Sequence, residues 1–192
     1  MRILAAIGAL AVIGAIGAAV VFFGGFYSIA GTVEDPAIVQ WTLVKVRLAS
    51  INRHAHDLPP ANFNDPAKVQ DGAREFAEHG CANCHGAPGV NWAKFSEGLR
   101  PDPPDLKDVV NDFTPSQLFW VIKNGINMTG MPSFALAGAK DEDIWAIVAF
   151  LKKLPSIKEA DYKAWTAPPP AAAPAPAPNP SAPGPTAPPE QK

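Results

Sequence analysis

Residues 81–86, CANCHG, hold the chain's two cysteines, and a histidine follows the second directly. Two thiols and an imidazole so close together admit four chemistries, which the surrounding sequence separates. A disulfide between cysteines three apart would close a tiny loop and leave His85 without a role. A structural zinc ion needs four ligands, usually from a second Cys/His pair at a set distance. His54, His56 and His79 complete no recognisable spacing of that kind. A thioredoxin-like dithiol calls for a preceding strand, whereas this motif follows a helix that opens at Asp65-Pro66. C-x-x-C-H is also the signature of covalent haem attachment. In that reading Cys81 and Cys84, one short turn apart, each form a thioether with a haem vinyl group, and His85 presents an imidazole nitrogen to the iron.

An electron carrier then needs a ligand on the far face of the ring. The stretch NMTGMPSF supplies Met128 and Met131, two of the chain's three methionines. Met131 is the better placed, in a Gly-Met-Pro loop where Gly130 admits close backbone approach and Pro132 fixes the chain after it. Met128, nearer a helix end, is expected to pack as an ordinary apolar side chain. Among the histidines, His79 is too close in sequence to His85 to cross the ring, and His54 or His56 would have to reach in from outside the domain.

The segment carrying these ligands reads as helical. Val69, Ala73, Phe76 and Ala77 line the helix that begins at Asp65-Pro66. In TPSQ, Thr114 and Gln117 are spaced for a capping box with Pro115 in the first turn. Gly125 then stops a helix whose inner face is Leu118, Val121 and Ile122. A third helix opens on Asp141, Glu142 and Asp143, buries Ile144, Trp145, Val148 and Leu151, and closes on Lys152 and Lys153. No convincing strand lies between them. The compact domain is expected over 64–155.

Outside it the composition changes abruptly. Residues 3–23 are 21 consecutive apolar or small residues, about the 20 that cross a bilayer as a helix. Segment 1–30 is therefore a transmembrane anchor or a signal peptide. Small residues at Ser28-Ile29-Ala30 suit cleavage, but a signal peptide's apolar region is usually about 7 to 15 residues. Asp35-Pro36 reads as an N-cap and first helical residue, so the juxtamembrane segment 31–63 is expected to be part helical. Val44 to Leu48 alternate like a strand, yet Trp41, Val44, Leu48 and Ile51 share a helical face, which favours an interfacial helix ending at Pro59-Pro60. Of 22 prolines, 11 fall in the last 26 residues, and segment 156–192 is expected to be a disordered Pro/Ala-rich tail. The net charge of −2 and the lack of a polybasic run argue against nucleic acid as a partner.

Taken together, CANCHG, TPSQLFWVIKNGI, TGMPSF and DEDIWAIVAFLKKL resemble the class I c-type cytochromes, in particular bacterial single-haem, membrane-anchored forms. The resemblance covers residues 65–155. It implies an all-α, cytochrome c-like fold of three to five helices around one covalently attached haem c, with an N-terminal transmembrane helix. It implies that the first and last helices of the domain cross, Gly72 and Phe76 meeting the neighbourhood of Trp145 and Ala149. It further implies that GLRPDPPDL lines the haem edge, where Arg100 or Trp92 would hydrogen-bond a propionate.

The expected activity is electron transfer without a small-molecule substrate, both axial positions being filled by His85 and Met131. The expected partners are redox proteins, or a respiratory membrane complex in which the chain is a fixed subunit. The expected location is the bacterial inner membrane, single-pass, with the haem domain on the periplasmic side. Residues 64–155 carry nine Lys/Arg against twelve Asp/Glu, so the docking face need not be a lysine-rich ring.

Overall fold

The computed structural model describes residues 1–168, and the proline-rich segment from residue 169 onward lies outside the described residues. An apolar helix comes first, α1 (Arg2–Phe23), with a mean hydropathy of 2.5 over its most apolar window and no buried residue. It is long and apolar enough to cross a membrane. After a linker comes α2 (Ala37–His54), a continuous helix rather than a strand. Two expectations about α2 are corrected. Its N-cap is Pro36, because the Asp35 carboxylate accepts a hydrogen bond from the Tyr27 hydroxyl instead of capping the helix. It ends at His54, before the Pro59-Pro60 step.

The domain that follows is all helical: α3 (Pro66–Glu78), α4 (Ala82–His85), α5 (Leu106–Val109), α6 (Pro115–Asn124), α7 (Asp141–Lys153) and α8 (Glu159–Thr166). Among the described residues there is no strand, only an isolated bridge between Ala87 and Val90. α3 buries Val69, Gly72, Ala73 and Phe76 on one face. α7 opens on its three acids and is buried throughout from Ile144 to Leu151. The α6 capping box is present, with Gln117 N–H donating to Thr114 Oγ1 and Thr114 N–H to Gln117 Oε1. Its inner face is Leu118, Phe119 and Ile122, with the Phe119 ring stacked on Trp145 at 4.2 Å, and the expected Val121 is only half-buried.

α3 and α7 cross at Gly72. A Cβ there would lie 1.9 Å from the carbonyl oxygen of Ala146 and 2.9 Å from Phe150 Cβ. The crossing falls in the expected neighbourhood of Trp145 and Ala149, with Gly72 against the adjacent Ala146 and Phe150. It is set by the Phe76–Phe150 contact at 5.3 Å.

Packing also extends past both expected ends of the domain. Ile51 of α2 is buried, Asn52 Oδ1 accepts from Gln117 Nε2 at 2.6 Å, and His54 stacks on Trp120 at 5.9 Å. At the other end, Glu159–Thr166 forms α8 where a disordered tail was expected from residue 156. Its Tyr162 is buried against Phe150 at 5.7 Å, and that contact orders eight residues whose own sequence carries little apolar signal.

Candidate cofactor site

The cysteine motif forms a single tight turn at the end of α3. Gly80 takes a left-handed φ of +72°, Cys81 N–H donates to Phe76 O, and His85 N–H donates to Cys81 O at 3.0 Å. Cys81, Cys84 and His85, at positions i, i+3 and i+4, therefore share one side of the turn. Ala93 N–H donates to Asn83 O at 2.8 Å and straps the following loop onto it. Both cysteines are free thiols and half-buried. Burial, with the charge of Cys84 adding to it, pushes the Cys81 thiol up to about 12. A thiol held protonated in this way is a poor redox dithiol, which needs a depressed value.

His85 Nδ1 lies 2.9 Å from Pro104 O. A carbonyl only accepts, so Nδ1 carries the proton and Nε2 keeps its lone pair for a metal. Burial lowers the His85 pKa, opposed by the Pro104 carbonyl and the Asp105 charge. The ring is thus neutral near pH 7, the form that ligates. Beside it His85, Ala87, Val90, Trp92 and Asp105 line a cleft of about 260 Å³.

Met131 is positioned by the end of α6. Gly125 stops that helix at φ +71°, and a Cβ there would lie 2.6 Å from Pro132 C and Ser133 N. Ile126 N–H donates to Met131 O at 3.1 Å, Met131 N–H to Thr129 Oγ1 at 3.1 Å, and the Ser133 hydroxyl to Lys123 O at 2.7 Å. The Met131 side chain packs against the same core cluster as Cys81. Met128 does not pack as expected: it is 82% exposed at φ +60°. Asn127 Oδ1 accepts from Met128 N–H, and the resulting turn carries the side chain outward.

Two of the other histidines, His79 and His54, are engaged elsewhere. His79 lies 3.5 Å from Glu75 Oε2 and edge-on to Phe134. His54 Nδ1 bonds Ser50 O, and His56 is exposed. Arg100 donates to Glu97 O and Leu99 O and pairs with Asp102, while Trp92 lies half-exposed beside Gly86.

Side-chain reading missed the Pro104 carbonyl, since a backbone acceptor leaves no residue-type signal; only the proline-rich run around it pointed there. The same run joins the two ligand loops. Pro104 holds His85, while Leu99 Cδ1 lies 2.8 Å from where a Cβ would stand on Gly130, next to Met131.

The donor set suits covalently bound haem: two thiols on one face of a turn, a neutral imidazole with Nε2 unprotonated, and a thioether carried on a braced loop. Residues 67–151 match the family described as cytochrome c oxidase, cbb3-type, subunit III. This segment is a c-type cytochrome domain. It implies covalent haem c and haem-based electron transfer, the work of an electron carrier. No curated protein and no solved structure matches the chain.

Proposed function

We propose that the chain is a membrane-held monohaem electron carrier, in which Cys81 and Cys84 would tether haem c and His85 and Met131 would ligate its iron. It passes electrons between a respiratory or periplasmic donor and an acceptor, on the periplasmic side of a bacterial inner membrane, alone or as a fixed subunit of a respiratory complex. The observation that carries this reading is the His85 Nδ1–Pro104 O hydrogen bond within a C-x-x-C-H turn, which leaves Nε2 with a lone pair to offer a metal.

When bound, haem c supplies one-electron exchange between ferric and ferrous iron. The residues tune and protect that exchange. Pro104 fixes the imidazole's tautomer and raises its basicity. A thioether from Met131 would favour the ferrous form and so raise the potential relative to two imidazoles. The buried core formed by α3, α6 and α7 excludes water behind the site.

The test is the oxidised near-infrared spectrum of the haem-loaded protein, which reports methionine sulfur on ferric iron. The band is expected in the wild type and in Met128→Ala, and is lost in Met131→Ala. Reduced wild type is expected to resist carbon monoxide, and Met131→Ala to bind it. A band that survives Met131→Ala, or ready carbon monoxide binding by the wild type, would overturn the ligand set and the sealed-carrier reading with it.

A further inference from the structure

The C-terminal half of α2 is held by the cytochrome domain through Ile51, Asn52 and His54. Its N-terminal half leaves Ile38 (67% exposed), Trp41 (60%), Leu43, Val44 and Val46 (60%) facing out. At 100° per residue, Ile38, Trp41 and Val44 point to one side and Leu43 and Val46 to the other. A flat protein surface covers one side of a helix, whereas apolar residues all round call for an enclosing medium. Polarity changes along the axis instead of around it. Over 37–46 the polar residues are Gln40, Thr42 and Lys45, and over 47–54 they are Arg47, Ser50, Asn52, Arg53 and His54.

The start of α2 is also tied to the end of α1. Tyr27 N–H donates to Val21 O at 3.2 Å, its ring lies 5.2 Å from Phe22, and its hydroxyl donates to the Asp35 carboxylate. Gln40 Nε2 then donates to Asp35 O at 2.7 Å. From Asp35 to Asp57 no acid intervenes, while Lys45, Arg47 and Arg53 supply positive charge.

We propose that Ala37–Val46, about 15 Å of helix, lies in the headgroup and upper acyl region of the same bilayer that α1 crosses, with Lys45 and Arg47 among anionic headgroups. The emerging half of α2 is then a strut that carries the cytochrome domain at a set height above the lipid. The inference rests on α1 crossing that bilayer.

The full haem-loaded chain, its Cys81 and Cys84 taken up by haem, is placed in nanodiscs of phosphatidylcholine and phosphatidylglycerol. One nitroxide is attached at Ile13→Cys, Ile38→Cys, Val46→Cys or Lys158→Cys. Relaxation by oxygen against a water-soluble nickel chelate reads depth. Labels at 38 and 46 are expected to favour oxygen several-fold more than the label at 158, and to approach the label at 13. If they match 158 while 13 lies in lipid, α2 is in water and the inference falls. If they are shielded from both reagents, a second copy or another protein covers them and it falls equally. If 13 also matches 158, the anchor itself is wrong and α2 loses its reason to lie in lipid.

Discussion

α1 and α7 are both rich in aliphatic residues, yet α1 buries none of its side chains and α7 buries eight in succession, Ile144 to Leu151. The difference lies in what surrounds them. α7 is enclosed by α3 on one side and α6 on another, with Phe76, Phe119 and Tyr162 closing over it. α1 has only Gly8, Gly14 and Gly17 among its aliphatics, each open to space. An apolar helix asks only to leave water. A protein core meets that demand with one fixed set of neighbours, whereas a bilayer meets it with any arrangement of acyl chains. Substitutions in the two helices should therefore behave oppositely.

The largest contrast is expected from deleting an aromatic ring. Phe150→Ala removes a ring packed between Phe76 and Tyr162, and should destabilise the domain by about 3–5 kcal/mol. Phe22→Ala, in α1, should leave the domain's melting temperature in detergent unchanged. Thermal unfolding followed by the haem absorbance reads both. Equal effects would mean that α1 is part of the domain core.

Adding a methyl group gives the next contrast. Gly72→Ala places a Cβ against the Ala146 carbonyl and should destabilise by about 1–3 kcal/mol as α3 and α7 move apart. Gly14→Ala meets nothing within 4 Å and should be silent in the same measurement. A silent Gly72→Ala would show that α3 and α7 can move apart at no cost.

A third, smaller contrast lies within the domain, between its helix starts. Thr114→Ala removes a side-chain cap that α6 has and α3 lacks, and should lower stability by about 1 kcal/mol. Asp65→Ala should change far less, since Asp65 makes no side-chain capping bond. Urea midpoints of the two variants make the comparison.

What was legible in the sequence follows the same division between local and non-local causes. The cysteine turn, the Thr114/Gln117 box and the acidic opening of α7 are local patterns, and each forms where its residues stand. The packing expected of Met128 fails at the outward turn made by Asn127, whose side chain bonds the Met128 backbone. What the sequence does not announce depends on distant partners. α8 exists because Tyr162 finds Phe150, the register of α3 on α7 follows from Phe76, and His85 is aimed by the backbone of Pro104. None of these partners is written in the segment that depends on it.

The smallest expected effect concerns a charge at the edge of the α3–α7 contact. The Glu75 pKa is raised above its ordinary 4.5, first by burial, then by the nearby charges of Asp143 and Glu78, against the pull of His79. The folded state then holds this proton more tightly than the unfolded chain does. Between 4.5 and the folded value, the native state binds more protons, so stability falls as pH rises through that window. Below it the Glu75 contribution is fully present, and above it the ionised carboxylate carries its full penalty. Glu75→Gln keeps an acceptor toward His79 and removes the charge. The variant should therefore match the wild type near pH 4 and be slightly more stable at pH 7, with the gap opening as pH rises. A gap that stayed constant with pH would mean that Glu75 acts through packing, and that the acids facing the start of α7 do not repel it.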